Sequence, residues 1–84
     1  MNLVDSCGWL EYLAEGPNAA VFAPAIENIE ELIVPTLSMY EVFKRVLQQR
    51  GEDAALQAVA LMQQGQVVDL DAGIALNAAK IGMN

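Results

Sequence analysis

Three short apolar segments, separated by stretches with helical periodicity, restrict this chain to a narrow range of folds. The strand-like segments are Asn2 to Val4, Glu31 to Val34 and Gln66 to Leu70, and the last contains the β-branched pair Val67 and Val68. Strands that alternate with helical segments of this length pair in parallel through right-handed crossovers. Short, continuous apolar runs suit strands that are buried on both faces. The sequence therefore predicts an α/β fold, a three-layer α/β/α arrangement around a parallel sheet.

Start and stop signals define two helical segments before the second strand. Asp5 and Ser6 are good N-cap residues for a first helix, which Gly16-Pro17 ends. The second segment runs from Pro17 to about Ile29, and Pro24 inside it predicts either a break or two short helices. Apolar residues recur at helical spacing in both segments: Trp9, Leu10, Leu13, Phe22 and Ile26.

Three more helical segments follow the second strand. The first runs from Leu37 to about Gln49, with Thr36 or Ser38 available as its cap and Gly51 as its stop. Its expected apolar residues are Leu37, Tyr40, Val42, Phe43, Val46 and Leu47. The others are Glu52 to Gln64, ended by Gly65, and a segment over 72–82 that Asp71 caps and Gly82 ends.

Composition limits the chain to one small domain over residues 1–84 with more apolar surface than it can bury alone. A chain of 84 residues buries only about 60 to 65% of its unfolded surface as a monomer, yet 55% of these residues are apolar or aromatic. The net charge of −7 opposes binding to nucleic acid by charge alone. A bound divalent cation could reverse the sign locally, and a basic protein would be a complementary partner.

Cysteine and histidine content restricts the available chemistry. Cys7 is the single cysteine, and no histidine is present. This excludes an internal disulfide and a zinc site with its usual ligands. It also excludes a thiol nucleophile activated by histidine. A metal site would have to use oxygen ligands. The sequence has no signal-peptide pattern and no run of 18 apolar residues, so we expect a cytoplasmic protein without membrane association.

Carboxylates follow the first two predicted strands. Asp5 comes directly after the first, and Glu41 lies about two turns into the helix after the second. The carboxyl ends of parallel strands meet at one sheet edge, where ligands usually bind, so a site for a hard cation is the first hypothesis. The alternatives are that Asp5 is only an N-cap and that Glu41 only pairs with Lys44 or Arg45 on its own helix.

Three segments resemble motifs of PIN-domain ribonucleases of the toxin–antitoxin type, similar to virulence-associated protein C. The opening Val4-Asp5-Ser6 with Trp9 and Leu10 resembles their first motif, and 33–42 resembles their second, in which a helical glutamate follows a strand. The run from Val67 to Ala79 resembles their third strand and the alanine-rich helix after it. The resemblance covers all 84 residues in order.

The resemblance implies an enzyme that hydrolyses RNA phosphodiester bonds with Mg²⁺ or Mn²⁺. Asp5 would match the first metal ligand, Glu41 the second, and Ser6 the hydroxyl that supports Asp5. RNA would be the substrate and a basic antitoxin the protein partner, with an arginine entering the acidic cleft. Asp69 and Asp71 fall outside the catalytic set. The basic residues Lys44, Arg45 and Arg50 could contact RNA phosphates, but basic residues on a surface helix usually serve solubility.

The chain departs from the family pattern at its C-terminus. Members continue to a further essential aspartate and to the last strands, which do not appear before Asn84. We therefore expect the N-terminal part of a PIN-like domain, incomplete at the C-terminus, inactive alone and dimeric. The alternatives are a non-catalytic PIN-like module that dimerises or binds a partner and, more weakly, a phosphoacceptor domain that uses Asp5.

Overall fold

The computed structural model describes residues 1–69, which form a parallel sheet with helical crossovers. The strands are β1 (Asn2–Leu3), β2 (Leu32–Pro35) and β3 (Gln66–Val68). Their order is β1-β2-β3, both pairs are parallel, and Leu3 lies beside Ile33. The predicted α/β class with a parallel sheet is confirmed. All three strands end at the same edge of the sheet.

Two pairs of helices make the crossovers between these strands. The connection from β1 to β2 contains α1 (Ser6–Leu13), α2 (Ala19–Glu27) and a short 3₁₀ turn (Ile29–Glu31). The connection from β2 to β3 contains α3 (Thr36–Arg50) and α4 (Glu52–Met62). The helix α1 also packs against α3, so the two crossovers contact each other as well as the sheet.

The core lies between the sheet and these helices. Leu32 and Val34 alternate on one face of β2, and both are buried in it. Trp9 of α1 is fully buried, which agrees with its place on the predicted apolar face of the helix. Its indole Nε1–H has no hydrogen-bond acceptor among the described residues. The buried hydrophobic residues are Val4, Trp9, Ile26, Leu32, Val34, Val42, Val46, Ala55, Ala58 and Met62.

The start of α3 differs from the sequence prediction. Neither Thr36 nor Ser38 caps the helix, because Thr36 is already its first residue and Pro35 holds the N-cap position. Pro35 has an extended backbone, with φ −64° and ψ 142°, and is the last residue of β2. The strand therefore runs directly into the helix, and no loop residue is left to act as a side-chain cap.

The buried face of α3 is narrower than the sequence predicted. Val42 and Val46 are buried, whereas Leu37, Tyr40 and Leu47 are 52%, 60% and 41% exposed. The helix contacts its neighbours through one stripe at helical spacing, and its second apolar stripe faces outward. The partly buried residues beside Val42 and Val46 are Met39 and Phe43.

Helix α2 continues through Pro24, where the sequence left open a break or two short helices. Proline cannot donate a hydrogen bond to the carbonyl of Ala20, four residues earlier. Both residues are exposed, so water can reach the carbonyl that loses its partner. The proline therefore remains within a helix that is only nine residues long.

The remaining sequence predictions concern residues outside the part of the chain that the structure describes. The helix over 72–82, its cap Asp71 and the predicted strand end at Leu70 lie outside residues 1–69. None of the helices in the described part of the chain is both long and apolar enough to cross a membrane.

Gly8 allows α1 to approach β1 and α2 closely, so we expect Gly8→Ala to destabilise the fold. A Cβ atom at this position would lie 2.7 Å from Cγ1 of Val4 and 2.9 Å from the Phe22 ring. Overpacking costs about 1–3 kcal/mol, whereas alanine gains about 1 kcal/mol over glycine in a helix. Urea unfolding should therefore show a net loss of about 1 kcal/mol.

The control for this experiment is Cys7→Ala, which changes an exposed residue in the same helical turn. Its free energy of unfolding should stay within about 0.5 kcal/mol of the wild type. A Gly8→Ala variant as stable as this control would contradict the close packing of α1 against β1.

Candidate functional site

Asp5 and Glu41 both lie at the edge of the sheet where the parallel strands end. Asp5 follows β1 by two residues, and Glu41 is the sixth residue of α3, which begins where β2 ends. A helix rises 1.5 Å per residue, so Glu41 is roughly 7.5 Å along the axis from the start of α3. Ligands bind preferentially at this edge in open α/β sheets. The structure thus brings both predicted carboxylates to the expected side of the sheet.

Asp5 caps α1 with one oxygen of its carboxylate. Its Oδ1 accepts a hydrogen bond of 2.8 Å from the backbone N–H of Gly8, and its extended backbone is typical of an N-cap residue. The side chain is exposed, and the other oxygen has no hydrogen-bond partner among the described residues. Capping therefore occupies one oxygen and leaves Oδ2 accessible to a ligand.

Glu41 is exposed and does not pair with the basic residues of its own helix. The ion pair present in residues 1–69 joins the Met1 amino group to Glu31 at 2.6 Å. Neither Lys44 nor Arg45 lies within ion-pair distance of Glu41 in this part of the chain. The alternative that Glu41 serves only an ion pair on α3 therefore has no support in the geometry, and its carboxylate is accessible.

Two further polar residues lie near the same edge. Ser6 is the first residue of α1, and no hydrogen bond joins its hydroxyl to Asp5 among the described residues, so its supporting role stays a prediction. Asp69 follows β3 directly and is exposed. Among the described residues it does not form a group of three metal-binding side chains with Asp5 and Glu41.

The carboxylates of Asp5 and Glu41 could supply some, but not all, of the ligands that a hard divalent cation needs. Mg²⁺ prefers oxygen ligands and is commonly held by one or two carboxylates together with water and substrate phosphates. Asp5 and Glu41 supply two carboxylates that are accessible from solvent. Residues 1–69 contain no group of three or more His, Cys, Asp or Glu side chains that could hold a metal ion. The two carboxylates therefore fit an ion whose remaining ligands come from elsewhere.

Glu41 also lines a shallow depression on the outer face of α3. The depression has a volume of about 320 Å³. The Lys44 ammonium lies 6.0 Å from the centroid of the Tyr40 ring, beside Glu41. Sequence reasoning treated these basic residues as solubilising, although the helical period alone places positions 40, 41, 44, 45 and 48 on one face. The residues that line it are Tyr40, Glu41, Lys44, Arg45 and Gln48.

A second concave surface, the α1–α2 groove, lies between the first two helices. It has a volume of about 400 Å³, with Ala20 and Ala23 in its lining and Glu15 and Glu27 among its acidic residues. The Tyr12 hydroxyl donates a hydrogen bond of 3.0 Å to Glu27, which raises the pKa of Tyr12 because the bond and the nearby carboxylate favour the neutral phenol. The groove therefore joins an apolar floor to a negatively charged rim.

Replacement of Asp5 should separate its capping role from its charge. We expect Asp5→Ala to lower the free energy of unfolding by about 1 kcal/mol in metal-free buffer, because the Gly8 N–H loses its acceptor. Asp5→Asn should leave stability nearly unchanged, because asparagine is an equally good N-cap. Urea unfolding of the two variants checks this, and equal losses in both would contradict the capping role.

Comparison with known proteins identifies one family. The sequence profile of the PIN domain matches residues 3–82, which is nearly the whole chain. No curated protein and no solved structure matches the chain significantly.

Proposed function

The chain belongs to the PIN domain family, and we propose that it is a Mg²⁺- or Mn²⁺-dependent endoribonuclease, the toxin of a type II toxin–antitoxin pair. The PIN domain indicates a nuclease-type function in general, and PIN domains generally depend on divalent metal ions. The observation that carries the proposal for this chain is that two exposed carboxylates, Asp5 and Glu41, follow adjacent parallel strands on the same side of the sheet.

The residues of the site have separate tasks in this proposal. The Gly8 N–H fixes Oδ1 of Asp5 and so orients the carboxylate, while Oδ2 is available to a cation. Glu41 offers a carboxylate that no ion pair within residues 1–69 engages. A bound divalent ion would supply Lewis acidity toward a phosphoryl oxygen and lower the pKa of a coordinated water. Ser6 would support Asp5 through its hydroxyl.

Further ligands are needed to complete such a site. A catalytic Mg²⁺ ion requires near-octahedral coordination, and two carboxylates leave several positions to water, substrate phosphate or other acidic residues. We propose that residues outside 1–69 or a second chain contribute the missing acidic ligands. Metal binding is therefore a more direct test of the site than RNA cleavage.

A non-catalytic PIN-like interaction module is the second candidate function. One observation favours it, namely that the described residues contain no group of three side chains able to hold a metal ion. Such a module would fold and bind its partner without any metal. The two functions therefore differ in whether Asp5 and Glu41 bind a divalent cation.

Titration calorimetry with Mn²⁺ distinguishes these functions. If Asp5 and Glu41 share a cation, Asp5→Asn should weaken binding about tenfold or more, and at least as much as Glu41→Gln, because each change removes a charged ligand. Asp5→Asn preserves the helix cap, so the effect should appear without a loss of stability.

The matched control is Glu30→Gln, which removes the same charge from an exposed residue before β2, at the opposite edge of the sheet. This control should bind Mn²⁺ as the wild type does. Unchanged affinity in both Asp5→Asn and Glu41→Gln would overturn the metal assignment and leave the interaction module.

Two protein partners belong to the proposal: a second copy of the chain and a cognate antitoxin. Leu56 of α4 and Val67 of β3, an edge strand of the described sheet, expose apolar side chains that a second copy would cover. The net charge of −7 and the acidic rim of the α1–α2 groove, formed by Glu15 and Glu27, would favour a basic antitoxin.

Sedimentation velocity tests both partners. The chain alone should sediment as a dimer at micromolar concentration, and a monomer would contradict self-association. Addition of a basic antitoxin should form a larger complex that Glu15→Lys weakens, because the change places a positive charge on the acidic rim. Glu30→Lys is the control outside the groove, and equal weakening by both variants would contradict docking at this groove.

A further inference from the structure

We propose that Tyr40, Lys44 and Arg45 form a subsite for one nucleotide of single-stranded RNA, beside Glu41 on the outer face of α3. The two cations hold a backbone phosphate, and the Tyr40 ring stacks on a base. This inference rests on the proposed function because it takes RNA as the substrate. It adds to that function a substrate-binding surface that neither the family match nor the pair of carboxylates specifies.

The distribution of positive charge singles out this surface. The chain has four basic residues against eleven acidic ones, and the three basic residues in the described part, Lys44, Arg45 and Arg50, all belong to α3. A phosphate backbone is repelled by the net charge of −7 and can be held only where cations cluster. Two of these three residues line the depression that contains Glu41.

These two cations are not neutralised by neighbouring carboxylates. Residues three and four positions apart on a helix are normally close enough to pair, yet no ion pair joins Glu41 to Lys44 or Arg45 among the described residues. Both side chains are exposed. They are therefore free to bind an external anion while the Glu41 carboxylate is free to bind a cation.

Tyr40 adds a feature that charge alone would not supply. Its side chain is 60% exposed, and the Lys44 ammonium lies over one face of its ring, 6.0 Å from the centroid, so a base would stack on the opposite face. An aromatic ring beside a cationic group is the usual means of binding an unpaired base and its phosphate, because every base presents a π-face. Gln48 completes the lining with an amide that can bond to a base edge.

The exposed ring of Tyr40 favours a single-stranded ligand. A paired RNA helix keeps its bases stacked inside, whereas an unpaired nucleotide can present its base to the ring. A nucleotide bound here would place the next phosphate beside Glu41 and so fix the register of the strand at the candidate metal site.

Fluorescence anisotropy with a short, labelled single-stranded oligoribonucleotide in EDTA tests the subsite. Lys44→Ala and Arg45→Ala should each weaken binding and reduce the slope of log affinity against log salt concentration by about 1, the effect of one lost phosphate contact. Tyr40→Ala should weaken binding about fivefold or more with an unchanged salt slope, and Tyr40→Phe should retain the affinity.

Arg50→Ala is the matched control, because it removes the same charge from the same helix outside the depression. It should weaken binding much less than Lys44→Ala or Arg45→Ala. Equal losses in all three variants would mean that binding reflects only net charge, and a Tyr40→Ala variant with wild-type affinity would exclude base stacking. Absence of RNA binding by the wild-type chain would also overturn the proposal.

The measurement separates this inference from the proposed function. EDTA removes divalent ions, so RNA binding at the subsite does not depend on Asp5 or on cation binding by Glu41. Loss of Mn²⁺ binding with an intact RNA subsite would overturn the nuclease and retain a single-stranded RNA-binding surface. Normal Mn²⁺ binding with no effect of Tyr40, Lys44 or Arg45 would overturn the subsite alone.

Discussion

Parallel pairing of β1 with β2 is the interaction on which the rest of the structure depends. It places the residues after both strands at one edge of the sheet, so that Asp5 and the start of α3 lie on the same side of the molecule. Burial of Leu32 and Val34 against the helical crossovers holds the pair together. With strands of only two and four residues, few backbone hydrogen bonds can form between them. The pairing must therefore rely on the helices, above all on α2, which packs against both strands, and on α3, which packs against β2.

Asp5 shows how a residue can cap a helix and still expose an unpaired carboxylate oxygen within the described residues. One carboxylate oxygen caps α1 through the Gly8 N–H, and this bond orients the side chain at the end of β1. The other oxygen is free of partners within the described residues. The two roles that the sequence allows for Asp5, N-cap and metal ligand, are thus compatible. A carboxylate has two oxygens, and the cap uses only one of them. Gly8 is part of the same arrangement, since its lack of a side chain lets α1 approach Val4 and Phe22.

Helix α3 has two apolar faces that its sequence pattern does not separate. Both carry apolar residues at helical spacing, so periodicity alone predicts one broad buried stripe. Packing buries Val42 and Val46 and leaves Leu37, Tyr40 and Leu47 outside. The outward face also carries Glu41, Lys44 and Arg45, which line a common depression. The residue pattern does not show which of the two apolar stripes packs into the core, because this depends on how the helix lies against β2, α1 and α4.

The sequence by itself determined the α/β class, the parallel sheet, most helix boundaries and the cap of α1 at Asp5. These follow from short-range physics: apolar periodicity, N-cap chemistry at Asp5 and the stop at Gly51, whose φ of 92° suits glycine. The tertiary structure decided that β2 runs into α3 without a cap at Thr36, that α2 continues through Pro24, and which of the two apolar stripes of α3 is buried. Each of these depends on the relative placement of elements, because packing between them selects among local conformations that differ by only about 1–3 kcal/mol.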